Sequence, residues 1–273
     1  MKPEETISYP EVERQLWHIY REFFDAAERK RRWRVRDDIP WDECNPNLDP
    51  AIADVVESFC CVELYLPDYV GKVLPIVRHS KGRSWFYANW GYEESKHSLA
   101  LGDWLVRSKH RTEEYMVDLE TRVLDQQWNL PQESHLGMLA YAMVQEHATF
   151  LNYRNLRQRV QAMGGDPALD KILALITVDE RAHYSLFKSF YDLFLEADRD
   201  AALAGIRPVL NQFQMPAIHD LLDNSQKRIA RIRDLEIFSE EIFFKDVYGF
   251  FLQALNITRA EMRGPRVKKS LAP

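Results

Sequence analysis

The sequence predicts an all-α protein, a four-helix bundle with additional flanking helices. Three observations predict it. Gly is scarce, at 10 of 273 residues, and strand-like alternation of apolar and polar residues is rare. Apolar residues instead recur every third or fourth position over long stretches. Four of those apolar stripes are each interrupted by a glutamate, and in two of the four a histidine follows one turn later.

Residues 10 to 32 read as an amphipathic helix on Leu16, Trp17, Tyr20, Phe23, Phe24 and Ala27, and the proline-bearing stretch from Trp33 to Pro50 as a loop. A helix over about 51–78 carries Glu63 and is interrupted at Pro67 and Pro75. Pro67 stands four residues after Glu63, so the Glu63 carbonyl loses its helical partner and a kink is expected there. Lys81–Gly82 marks a break before a helix of about 84–108, and a shorter helix of about 112–128 ends near Asn-Leu-Pro. A long helix over 133–163 stops at Gly164–Gly165, and Asp166 and Pro167 supply the cap and first-turn proline of the next, about 167–195. Helical segments at about 199–233 and 238–256 precede a frayed tail, 257–273. One domain over 1–273 is the economical organisation. Its core bundle lies at about 51–195, with an N-terminal helix and loop at 10–50 and C-terminal helices at 199–256.

Composition excludes several classes. With 46% apolar and 29% charged residues the chain is globular rather than disordered. Its formal net charge of −6 argues against nucleic acid as partner. The three cysteines, Cys44, Cys60 and Cys61, form no Cys-x-x-Cys pair, which fits a reducing compartment and excludes a cysteine zinc site or iron–sulfur cluster of the usual spacing. The first residues, MKPEETISYPEVERQ, lack the apolar core of a targeting peptide, and no apolar run is long enough to span a membrane. A soluble, cytoplasmic protein is expected.

The chemistry lies in the interrupted stripes. Trp90, Glu94, His97, Leu101 and Leu105 share one helical face, and Leu173, Ile176, Glu180, His183 and Phe187 repeat the arrangement. Lone glutamates interrupt two further faces, Glu63 after Val56 and Phe59, and Glu146 among Leu139, Met143, Phe150 and Tyr153. An unpaired carboxylate on a buried face is strongly disfavoured, so four of them need a common partner. The order Glu, Glu-x-x-His, Glu, Glu-x-x-His is the ligand set of a di-iron or di-manganese carboxylate bundle. Four glutamates balance two divalent ions, and an oxygen–nitrogen set without sulfur suits iron or manganese rather than structural zinc. The competing explanation is a set of unrelated core ion pairs and caps. Asp179, beside Glu180, is placed either to orient a liganding imidazole or as a surface acid. Thr149, one turn after Glu146, either presents a hydroxyl to the pocket or packs between helices.

The text around these residues resembles the soluble acyl-[acyl-carrier-protein] desaturases, a ferritin-like di-iron family. The matching segments are VELYLPDYV around Glu63, YEESKH ending at His97, VQEHATF around Glu146, VDERAH ending at His183, and QMPAIHDLLDN from Gln214, with a weaker match at RWRVRDDIP from Trp33. The resemblance runs from about residue 60 to 225. It implies Glu63, Glu94, His97, Glu146, Glu180 and His183 as ligands of two iron ions, Asp179 behind a ligand, Thr149 in the pocket and Trp33 beside the site. It further implies reductive activation of O2, a cis double bond installed in an acyl chain on acyl carrier protein, electrons from a ferredoxin-type donor, and a homodimer. The chain departs from many relatives in reading His-Ala-Thr after Glu146, and it is shorter. A related di-iron hydroxylase or N-oxygenase, or a non-catalytic ferritin-like metal-binding protein, would use the same ligands. The run ERKRRWRVR sets six cations between Arg29 and Arg36, and either docks the acidic carrier or is a solvated helix end. Lys268 and Lys269 read as solvent-exposed.

Overall fold

Apolar periodicity becomes architecture through four helices of the bundle. The computed structural model describes residues 10–215 and 222–263, and is helical with no strand among them. Helices α2 (Pro50–Glu63), α4 (Lys81–Arg107), α6 (His135–Ala162) and α7 (Pro167–Ala197) form a ring. α6 packs along α7 and α2 along α4, while contacts of α4 with α7 and of α2 with α6 close it. Helix α1 (Pro10–Lys30) lies across α4 and α7, α3 (Leu66–Val77) across α4 and α6, and α8 (Arg199–Gln212) across α6 and α7. Helix α5 (Glu113–Leu124) contacts α4, and α9 (Ser225–Asp234) contacts α2. No described helix is long and apolar enough to cross a membrane.

The turn between α6 and α7 shows how local chemistry sets the ring. Gly164 and Gly165 take φ of +111° and +77°, a region that costs L-residues steric strain. Asp166 then caps α7: its Oδ1 accepts from the Leu169 amide at 2.7 Å. Its Oδ2 accepts from Trp104 Nε1 at 3.0 Å and from the Asn45 amide at 2.7 Å. One buried carboxylate thus starts α7, pins α4 to it and holds the 31–49 loop, where a cap alone stabilises by about 1 kcal/mol.

Several boundaries differ from those the sequence predicts. The interruption after Glu63 is a full break: α2 ends at Glu63 and α3 begins at Leu66 with Pro67 in its first turn, where a missing amide costs nothing. Pro75 lies inside α3 without breaking it, because it is exposed and the Gly71 carbonyl it leaves free faces water. Lys81–Gly82 is the first turn of α4 rather than a gap. Gly82 is there because α1 crosses so closely that a Cβ would stand 2.6 Å from the Leu16 carbonyl carbon. The expected 199–233 helix is two helices, and Asn224 before α9 has φ of 58°, outside any continuous α-helix. The 238–256 segment contains a π turn, Phe243–Tyr248, between short α-helices α10 (Glu240–Ile242) and α11 (Gly249–Ala254). Residues 259–262 are not frayed: α12 (Arg259–Met262) starts on a Thr258–Glu261 capping box, and Arg199 bonds the same Glu261. Part of QMPAIHDLLDN, and Lys268 and Lys269, lie outside the described residues.

Gly82→Ala is therefore expected to destabilise by about 1–3 kcal/mol through the α1–α4 contact. Gly71→Ala, with nothing within 4 Å of the added methyl, should be neutral or stabilise by up to about 1 kcal/mol. Denaturant midpoints of the two variants check the pair.

Candidate metal centre

Each bundle helix delivers its acid to one point. Glu63 comes from the last turn of α2, Glu94 and His97 from the middle of α4, Glu146 from α6, and Glu180 and His183 from α7. All six are buried. Their ligand atoms form two overlapping groups, Glu63, Glu94, His97 and Glu180 in one and Glu94, Glu146, Glu180 and His183 in the other. Within each group the atoms lie within 4.8 Å of one another. Glu94 and Glu180 belong to both groups, so their carboxylates have the position of bridges.

The histidines turn the same ring edge inward. His183 Nδ1 lies 2.8 Å from Glu94 Oε1 and 3.2 Å from Glu146 Oε2, and His97 Nδ1 lies 3.2 Å from Glu94 Oε2 and 3.4 Å from Glu180 Oε1. Their Nε2 atoms face out, each toward an acid contributed by the other motif. His97 Nε2 is 3.5 Å from Asp179 Oδ2, and His183 Nε2 is 2.6 Å from Glu93 Oε2. A carboxylate behind an imidazole fixes its ring and tautomer and leaves the inner nitrogen free to ligate. Trp33 Nε1 donates to Asp179 Oδ2 at 2.7 Å, and Arg31 Nη1 bridges the two outer acids, at 2.6 Å from Asp179 Oδ1 and 2.9 Å from Glu93 Oε2. Arg32 also pairs with Glu93.

Whether this donor set fits metal ions is decided by its unpaired atoms. Glu94 Oε1, Glu146 Oε2, Glu180 Oε1 and the Nδ1 atoms of His97 and His183 are buried, and although they crowd one another none of those contacts is aligned as a hydrogen bond. Buried polar atoms are paired in the great majority of cases, so five on one point call for a shared cation. Two divalent ions satisfy them with oxygen and nitrogen donors alone. The residues fit a di-metal site.

The buried charges shift one another's proton affinity. Burial first, and the Glu94 charge next, push the Glu63 carboxyl up to about 8 and raise those of Glu146 and Glu180. Burial opposes charge on His97 and His183, but the carboxylates around them outweigh it and raise both. Burial is likewise outweighed at Glu94, Glu93 and Asp179, whose carboxyls are lowered by the adjacent imidazoles.

The structure brings every sequence-predicted site residue together: the six candidate ligands, Asp179, Trp33, and Thr149 on the pocket beside the carboxylates. Sequence reasoning missed Glu93, although EESKH and DERAH set an acid directly before both Glu-x-x-His motifs. It also missed Tyr153, whose hydroxyl donates to Glu63 Oε1 at 2.6 Å. The basic run divides. Arg31 and Arg32 are turned inward on Glu93 and Asp179, Arg34 pairs with Asp37 and Asp38, and Arg29, Lys30 and Arg36 are exposed.

Metal ions compete with protons for Glu63, Glu146, Glu180 and the two imidazoles, all of whose proton affinities are raised. Calorimetric titration with ferrous ion in buffers of different ionisation enthalpy should therefore show proton release, and affinity should fall as pH drops below neutral. Glu93→Ala and Asp179→Ala should each weaken uptake by about 10–100-fold.

Comparison with known proteins accords with this geometry. A family model described as fatty acid desaturase matches residues 63–261. DesA1 of Mycobacterium tuberculosis, provisionally named an acyl-[acyl-carrier-protein] desaturase, is 23% identical over 207 residues. That alignment covers 67% of this chain, which spans only 60% of the length of DesA1. The X-ray structure of DesA2 from Mycobacterium tuberculosis H37Rv, provisionally titled an acyl-ACP desaturase, superposes with a TM-score of 0.69 at 16% identity. It covers 92% of this chain and 98% of DesA2, a likeness of fold. The architecture is the ferritin-like four-helix bundle expected from the sequence. Matched from Glu63 to Glu261, the chain belongs to the fatty acid desaturase family.

Proposed function

We propose that the protein is an O2-dependent desaturase that introduces a cis double bond into an acyl chain carried on acyl carrier protein. Two iron ions are its redox centre and a ferredoxin-type protein its electron donor. The observation that supports it best is the convergence of unpaired donor atoms in a buried carboxylate–histidine cluster, in a member of this family. The relatives' names supply the carrier-bound acyl chain as substrate class.

Glu63 and His97 would hold one iron, Glu146 and His183 the other, with Glu94 and Glu180 between them. Bound there, the ions supply redox electrons and open coordination positions for reducing O2. The balance is closed by named reactants. The acyl chain gives up two electrons and two protons as its C–C bond becomes C=C. The donor gives two electrons, solvent gives two protons, and O2 leaves as two water molecules.

The chain's own residues orient, neutralise and exclude water. Glu93 accepts from the outer Nε2–H of His183, Asp179 faces the outer Nε2 of His97 across 3.5 Å, and Arg31 offsets both acids. Tyr153 holds Glu63 through Oε1, which fixes one carboxylate oxygen at the end of α2. Thr149 lines the pocket and, in this reading, its Oγ1 carries a proton there. Phe59, Val62, Tyr69 and Trp90 wall the same pocket and keep bulk water from it. A homodimer is supported by α4, where Trp85, Tyr92 and Leu99 recur at seven-residue spacing and are more than half exposed.

Turnover of carrier-bound acyl chains under 18O2, with reduced ferredoxin, tests the reading. An unsaturated product free of 18O is expected, and Glu146→Ala should abolish it together with metal loading. A product containing 18O would make the protein an oxygenase instead.

A further inference from the structure

The pocket beside the carboxylates adjoins a larger cavity of about 830 Å3, and Phe59, Asn152 and Met215 line both. Phe213, Ile232 and Phe243 give part of the outer cavity apolar walls, and Gln214, Arg233, Ser239, Glu240 and Glu241 line the rest. A wall for a plain hydrocarbon needs no hydrogen-bonding group, and burying one without a partner costs stability. Two such groups stand here. Asn152 is 3% exposed; its Oδ1 has no hydrogen-bond partner among the described residues, and its Nδ2 reaches only Met215 Sδ, at 4.0 Å. Trp90 is 5% exposed, lines the inner pocket, and its indole N–H is equally unpaired. Neither belongs to the two ligand groups, so metal ions would satisfy neither.

We infer that the acyl chain this protein acts on carries a hydroxyl group close to the carbons that lose hydrogen, and that Asn152 and Trp90 bind that hydroxyl. The inference rests on the desaturase reading above and specifies its substrate class. A hydroxyl both donates and accepts, so it can donate to Asn152 Oδ1 and accept from Trp90 Nε1. A saturated chain of the same length leaves both groups unpaired, which is the arrangement that discriminates most strongly against a substrate lacking the polar group. Asn152 lines both the outer cavity and the pocket that Glu63, Glu94, Glu146 and Glu180 also line, so the hydroxyl it binds lies near the reacting carbons. The hydroxyl is unchanged by the reaction, and the same electrons and protons balance it.

Binding without turnover separates this inference from the reading beneath it. Ferrous-loaded protein is titrated under nitrogen, without reductant, with the pantetheine thioester of one saturated acid and with those of its mono-hydroxy isomers. At least one isomer should bind about tenfold or more tighter than the saturated chain. Asn152→Leu should erase that preference while leaving saturated-chain affinity in place, and Trp90→Phe should reduce it. Equal or tighter binding of the saturated chain by the wild type overturns the inference and leaves the desaturase reading standing, as does a preference that survives in both variants. Binding of no thioester at all overturns both. The wild-type comparison decides even where the Asn152 variant fails to fold.

Discussion

Four glutamates cannot share the centre of a helical bundle unless positive charge stands among them. Leaving a buried charge unpaired costs several kcal/mol, a large part of the total stability of an ordinary domain. Glu63, Glu94, Glu146 and Glu180 are all buried. The rest of the site answers that constraint. It raises the proton affinity of three carboxyls and both imidazoles, and two divalent ions would meet it with the unpaired donor atoms.

The same constraint reaches outward. Each imidazole needs a carboxylate behind it, and each of those carboxylates is itself buried and needs a cation. Arg31 serves both at once, and Arg32 adds to Glu93, so the last turn of α1 and the residues just after it become part of the electrostatic structure of the bundle. Nearer its other end, α1 crosses α4 so closely that Gly82 is required. The same constraint explains why Trp33, at the start of the loop, is buried with its indole N–H on Asp179. A helix that looks peripheral in the chain order is held in place by charge and packing together.

Much of this is legible in the sequence, for definite reasons. The GGDP turn announces its own geometry, since only glycine takes the two left-handed positions easily and Asp-Pro caps the helix after it. Glu63, Glu94, Glu146 and Glu180 stand out because a charge on an apolar face breaks a pattern with a period. Glu93 does not stand out, because on α4 it faces α1 and α7 rather than the stripe, and nothing in composition separates it from a solvated acid. Arg31 and Arg32 mislead for the same reason: a basic run at a helix end is normally solvated, and the partners of Arg31 lie 62 and 148 residues away. Pro75 and Gly82 read as breaks because propensity carries no information about exposure or close approach. The π turn at Phe243–Tyr248 has no sequence signature.

The central claim is that these six side chains hold a pair of metal ions. Anomalous diffraction at the iron edge, from crystals loaded anaerobically with ferrous ion, tests it directly. Two peaks are predicted, about 3–4 Å apart, one beside Glu63 and His97 and the other beside Glu146 and His183, with Glu94 and Glu180 between. A folded, iron-saturated crystal with no peak at these residues would contradict the account, and the cluster would then have to be a proton-filled polar core.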